Sequence, residues 1–291
     1  MTWTFDLDLK RLDRLALRYK GGLVGHSSGK RLTNKYGTAM EFADYRPYLP
    51  GDDVRRIDWS LYGRSRRLYT KLNRSEVDAT VNVLIDGSRS MDWGEYDKGR
   101  RALELALALG YLSIKAYDRV AVGIGPKELS QYLPPVHGKG AFSRLLSFLS
   151  AREFDREGDL NSLCLSFARQ LKPLQLTVLI SDFLSPGGWQ RGLEKLVNSR
   201  QQLLLFHVFS PDELEPEYRG PVSLVDSETG SKKEVDVDPL VLRGYRDAFA
   251  RHSEQIADFC RQRGINYFRY DCSENPVDFL LTIASTVLNS W

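Results

Sequence analysis

Val81-Asn82-Val83-Leu84-Ile85-Asp86-Gly87-Ser88-Arg89-Ser90-Met91 decides how this chain is read. The β-prone, largely apolar run Val81–Ile85 predicts a buried strand. It ends in an acid, and two serines follow at alternate positions. From Lys98 to about Ala116 the apolar residues take helical spacing, with Leu103, Ala106, Leu107 and Gly110 on one face. Three oxygen-bearing side chains therefore sit on a loop at the carboxyl end of a strand, just before a helix. Open α/β sheets bind ligands at that edge. Donors that are all oxygen suit a hard cation such as Mg2+ or Mn2+.

Outward from this junction, strands and helices alternate. Val120–Ile124 predicts a strand, Phe142–Ser150 and Leu160–Leu171 helices, and Leu176–Ile180 a strand that runs into Ser181-Asp182-Phe183. Trp189–Ser199 predicts a helix and Leu203–Phe209 a strand. Val222–Asp226 and Lys233–Val237 flank Glu228-Thr229-Gly230 as a hairpin. Leu240–Arg263 is a long helix, Asn266–Tyr270 a strand and Val277–Leu288 a last helix. Alternation with continuous apolar strands predicts an α/β fold, a doubly wound and mainly parallel, Rossmann-like sheet covered on both faces. Residues 79–291 are read as that domain.

Residues 1–78 differ. Asp8–Tyr19 has a helical pattern, and the glycine- and serine-rich stretch after it predicts a loop. From Tyr36 to Trp59, aromatics, acids and arginines are too dense for a linker. Pro47, Pro50 and Gly51 exclude a helix. This segment is expected to be an irregular arm laid on the main domain, with Asp44, Asp52, Asp53 and Asp58 paired to arginines. Tyr45 and Trp59 are expected to anchor it.

The composition, with 42% hydrophobic and 27% charged residues, is that of an ordinary globular chain. No run reaches the about 18 consecutive apolar residues of a membrane span, and the first residues lack a secretory core. A cytoplasmic location follows as the expectation. Cys164, Cys260 and Cys272 are far apart, which predicts buried, reduced thiols. The net charge of +3 hides a basic front, with 16 Lys/Arg against 10 Asp/Glu up to Asp78. Those bases alternate with acids and lack interleaved aromatics, so no nucleic acid is expected as a partner.

The long motifs carry a resemblance. Asp86-Gly87-Ser88-Arg89-Ser90-Met91 resembles the first segment of the metal-ion-dependent adhesion site of von Willebrand factor A domains. Glu41-Phe42-Ala43-Asp44-Tyr45-Arg46, then Pro50-Gly51-Asp52-Asp53-Val54-Arg55-Arg56-Ile57-Asp58-Trp59, then Arg67-Leu68-Tyr69-Thr70-Lys71 are similar to the signature of a bacterial family. It is domain-of-unknown-function family 58, whose members carry a von Willebrand factor A-like domain. Ser181-Asp182-Phe183 resembles that family's later strand end. The resemblance runs from about Arg11 to Asp182 and is expected to continue to the end. It implies a metal site in which Ser88 and Ser90 bind directly, while Asp86 and Asp182 act through water. A threonine is implied from a second loop. There the family's G-T-D-L reads Glu157-Gly158-Asp159-Leu160, so Gly158 replaces the hydroxyl, and Asp159 or Asn161 is the available substitute. The resemblance also implies a MoxR-type AAA+ ATPase as partner, in maturation or activation of protein complexes. Many members have amino-terminal membrane helices, and this chain resembles the short soluble type.

The expected function is a non-enzymatic protein-interaction module with a degenerate adhesion site, in which Asp86 faces solvent. The arginines Arg55, Arg56, Arg64, Arg66 and Arg67 are the second candidate for partner contact. The alternative is a Mg2+-dependent hydrolase of phosphate esters. A dehalogenase-type phosphatase needs a second carboxylate two residues after the first, where Ser88 stands. Gly25-His26-Ser27-Ser28-Gly29-Lys30-Arg31 misses a phosphate-binding loop by length and by its last residue. His26, His137, His207 and His252 share no metal-ligand spacing, and His207 is expected to be a satisfied strand histidine.

Overall fold

The computed structural model describes residues 5, 7–18, 31–48, 57–77, 80–93, 95–151, 154, 156–226 and 230–289. Helix α1 (Leu9–Arg18) comes first. Strands β1 (Arg31–Pro47) and β2 (Tyr69–Val77) then pair antiparallel, with the short helix α2 (Trp59–Ser65) between them. From there the elements are β3 (Thr80–Asp86), α3 (Lys98–Lys115), β4 (Arg119–Gly125), β5 (Gln131–Val136), α4 (Ala141–Ser150), α5 (Leu160–Ala168) and β6 (Leu176–Ser181). They continue as α6 (Gln190–Asn198), β7 (Gln202–Phe209), α7 (Pro211–Leu214), β8 (Gly220–Val225), β9 (Lys232–Val237), α8 (Pro239–Arg263), β10 (Asn266–Asp271) and α9 (Pro276–Asn289).

The central sheet has six strands in the order β10-β7-β6-β3-β4-β5. Every neighbouring pair is parallel except β4–β5. β3 is buried at every position because both faces are covered. Val81, Val83 and Ile85 pack with α1, α3, α4 and α9 on one face. Leu84 packs on the other with Leu163, Phe167, Leu193 and Ile256. Alternate residues of one strand thus feed two cores. Truncating a fully buried leucine such as Leu84 to Ala costs about 2–5 kcal/mol.

From β3 the chain moves outward to β4 and β5, then returns to the other side of β3 with β6, β7 and β10. The strand order reverses at β3, which makes the carboxyl end of β3 and β6 the switch point of the sheet. The mixed α/β fold with a mainly parallel sheet agrees with the alternation of the sequence. Among the described residues, no helix is long and apolar enough to cross a membrane. Cys164, Cys260 and Cys272 are buried and free.

Two local expectations need correction, that of an irregular segment and that of Trp59 as an anchor. The segment from Tyr36 is not irregular: to Pro47 it belongs to β1, paired with β2 through three register shifts. Such bulges break the two-residue alternation by which a strand is recognised. Trp59 is no anchor: it is 63% exposed, and among the described residues its ring contact is with the edge of Tyr62. Asp58 caps α2 by accepting from the Leu61 N–H at 2.9 Å. Asp52, Asp53 and residues 25–30 of the glycine-rich stretch lie outside the described residues.

Candidate functional site

Asp86 ends β3 and Asp182 follows the last residue of the adjacent β6, so the two carboxylates meet above the switch point. Neither faces solvent: Asp86 is 2% exposed and Asp182 1%, which corrects the expectation for Asp86. The Ser88 N–H donates to Asp86 Oδ1 at 3.0 Å, and the Ser181 hydroxyl donates to Oδ2 at 2.6 Å. Burial, and then the nearby Asp182, push the Asp86 carboxyl up to about 6 against those bonds.

Glycine shapes the floor of the cleft. The Gly87 N–H donates to the Gly125 carbonyl at 2.9 Å. A Cβ on Gly87 would stand 2.9 Å from the Gly125 carbonyl carbon, so the loops after β3 and β4 approach as only glycine permits. Ser88 forms a bridge to Arg156, and the Arg89 N–H donates to the Arg156 carbonyl at 2.8 Å. The second loop, with buried Gly158, therefore runs beside the serine loop. After Asp182 the backbone turns sharply: Phe183 is left-handed at φ 57°, uncommon for a bulky residue, and sealed by Trp189 and His207.

The Ser88 and Ser90 hydroxyl oxygens lie 3.0 Å apart. Adjacent ligands of an octahedral Mg2+, with bonds of about 2.1 Å, stand about 3 Å apart. The pair and the two carboxylates therefore form a donor set suited to a hard cation. Among the described residues of the second loop, the two expected substitutes are engaged elsewhere. Asp159 caps α5, accepting from the Ser162 N–H at 3.1 Å and the Ser162 hydroxyl at 2.7 Å. Asn161 bridges to the Gly187 carbonyl and the Gly192 N–H, both at 2.7 Å. Among the described residues no group of three or more His, Cys, Asp or Glu side chains is placed to hold a metal. The candidate depends on its serines.

Two functional side chains escaped the reading of the sequence. Lys98, the first residue of α3, is fully buried, with Nζ 2.9 Å from Asp182 Oδ2 and 2.5 Å from Glu213 Oε1. Burial pushes its ammonium down, but Asp182 and Glu213 outweigh that and the net shift is upward. Asp182 sits below its usual range despite burial, because Lys98 holds it. Burial pushes Glu213 up, with Lys98 opposing. Glu213 is carried by α7, and its Oε2 accepts from the Ser210 N–H at 2.9 Å. Signals for both were present. A lysine at a helix start opposes the helix dipole and needs a carboxylate partner, and Ser210-Pro211-Asp212-Glu213 has the spacing of a capping box.

Beside the cleft, Glu95, Tyr96, Asp212, Glu215 and Tyr218 help to line a hollow of about 440 Å3. The Glu95 N–H donates to Asp212 at 3.3 Å and joins this rim to α7. Arg64, Arg66 and Arg67 are exposed on and just after α2, and Arg55 and Arg56 lie outside the described residues. His207 is only half satisfied: Nδ1 meets the Tyr267 hydroxyl at 2.6 Å, while Nε2 has no hydrogen-bond partner among the described residues.

These features define a doubly wound α/β protein with a buried, polar, charge-compensated cluster at its switch point. The family model described as "Protein of unknown function DUF58" matches residues 44–255, and the chain belongs to that family. An uncharacterized protein of Mycobacterium bovis is 28% identical over 258 residues, 87% of this chain and 81% of the relative. An uncharacterized protein of Mycobacterium tuberculosis matches with the same figures of 28%, 87% and 81%. Among solved structures, the conserved hypothetical protein BatB from Bacteroides thetaiotaomicron aligns with a TM-score of 0.45 at 13% identity, over 73% of this chain and 100% of that one. An aerotolerance-related membrane protein from Bacteroides fragilis aligns with a TM-score of 0.46 at 15% identity, over 73% and 100% of the two chains.

Proposed function

We propose that this chain is a non-enzymatic protein-interaction module, a von Willebrand factor A-like domain whose cleft takes Mg2+ or Mn2+ at Ser88, Ser90, Asp86 and Asp182. The observation that carries the reading is the serine pair, 3.0 Å apart beside two strand-end carboxylates. A cation bound there would offer an open position to a carboxylate of the partner. The acidic rim gives that cation a purpose. Glu95, Asp212, Glu215 and Glu217 repel an incoming acid unless positive charge lies in the cleft. The partner we propose, from the family resemblance, is a MoxR-type AAA+ ATPase, in maturation or activation of protein complexes in the cytoplasm.

The cleft favours binding over hydrolysis. Both Asp86 oxygens accept from internal donors, which supports a holding role for this carboxylate over that of a nucleophile or base. Hydrogen exchange with and without the cognate ATPase, in millimolar Mg2+, tests the reading. Protection is expected in the loops after β3 and β6. Protection confined to the segment carrying Arg64, Arg66 and Arg67 would move the docking site to the arginines and reject the cleft.

A further inference from the structure

We infer that Lys98 is a tethered cation that competes with the divalent ion for Asp182, and that Glu213 is the station to which its ammonium withdraws. This rests on the metal-binding reading above and says what regulates that site. Nζ of Lys98 contacts Asp182 Oδ2 at 2.9 Å, and Asp182 is one of the proposed cation ligands. An ammonium and a divalent ion cannot share that carboxylate cheaply, because burial leaves their repulsion poorly screened. Withdrawal does not orphan the lysine, since Glu213 Oε1 already holds Nζ at 2.5 Å. A buried ammonium that exchanges two carboxylates for one stays paired, whereas one with a single partner would be stranded.

The exchange reaches the surface. The Trp93 ring lies 6.0 Å from Nζ, and Glu213 belongs to α7, which the Glu95 N–H joins through Asp212. The state of Lys98 is therefore coupled to the rim that a partner would meet.

The test is Mn2+ binding by the full chain, followed by calorimetry and by the paramagnetic resonance of the free ion. Wild type, Lys98→Met and Lys98→Met/Glu213→Gln are compared, with circular dichroism to establish folding. The double variant leaves the net charge unchanged while it frees Asp182. Both variants are expected to bind at least about tenfold more tightly than wild type, as loss of a buried like charge requires. A folded double variant that binds no more tightly than a binding wild type overturns the competition and leaves the metal site standing. Folded proteins that all fail to bind at millimolar Mn2+ overturn the metal site and the competition with it. If the variants do not fold, the wild type decides: the Lys98 Cε resonance should move as Mg2+ saturates the site, and an unmoved resonance overturns the inference.

Discussion

Asp86 is held by two donors inside the protein, so charge and hydrogen bonding there can be separated by substitution. Asp86→Ala strands the Ser88 N–H and the Ser181 hydroxyl, and is expected to lower stability by about 1–3 kcal/mol in urea unfolding. Asp86→Asn keeps an acceptor for Ser181 and removes a buried charge. It is expected to stay within about 1 kcal/mol of wild type, or above it. His207 gives a pH dependence of known sign. Burial depresses its folded pKa to about 3, so between pH 3 and pH 6.5 the unfolded chain binds a proton that the fold does not. Stability contributed by neutral His207 is thus present above the unfolded pKa and lost as pH falls. Between pH 7 and pH 5 the loss is about 2 kcal/mol. Asp86, raised to about 6, runs in the opposite sense, so the comparison must be with a variant. His207→Phe, set among Phe183, Phe209 and Phe249, should lack this share of the loss in denaturation at the two pH values. At this scale the four candidate ligands were readable because each stands at or near the end of an apolar strand. Lys98 and Glu213 each left a local signal, but their pairing was not readable, because they lie 115 residues apart and meet only in the fold.

Elements with unbroken apolar runs were visible beforehand: β3, β6, β7 and the helices that cover them. β5 was missed because Pro134 and Pro135 deny it the look of a strand. It forms the antiparallel edge of the sheet, where a missing N–H costs little and blocks further pairing. α7 was missed because a single turn has no period to detect. β1 was missed because its register shifts hide the alternation, and its charges suggested ion pairs instead. The contact between the loops after β3 and β4 makes an expectation at this scale. A Cβ on Gly125 would stand 1.8 Å from the Glu128 carbonyl oxygen, which is backbone and cannot turn aside. Gly125→Ala is expected to cost about 1–3 kcal/mol from overpacking. It should also disturb Gly87 and loosen the adjoining serine loop, seen as faster hydrogen exchange there.

For the whole molecule, the order of strands does the positioning. Reversal at β3 leaves a crevice at the carboxyl edge, and the two strands that flank it deliver one acid each. Around this crevice the protein concentrates carboxylates, compensates part of that charge with Lys98, and leaves the rim acidic. Such a cleft attracts cations and repels acids, so a partner that docks with a carboxylate needs a cation between the two. Ser88→Ala/Ser90→Ala removes both hydroxyls proposed as ligands without changing charge and should cost little stability, so it tests the proposed role of a cation. The deciding measurement is the affinity of the MoxR-type ATPase proposed as partner for wild type and for this double variant, across a series of Mg2+ concentrations. Wild-type affinity is expected to rise with Mg2+ and to fall to the level of the variant when the ion is chelated. Affinity that is the same for both proteins, and flat across the series, would contradict docking through a cation in the cleft.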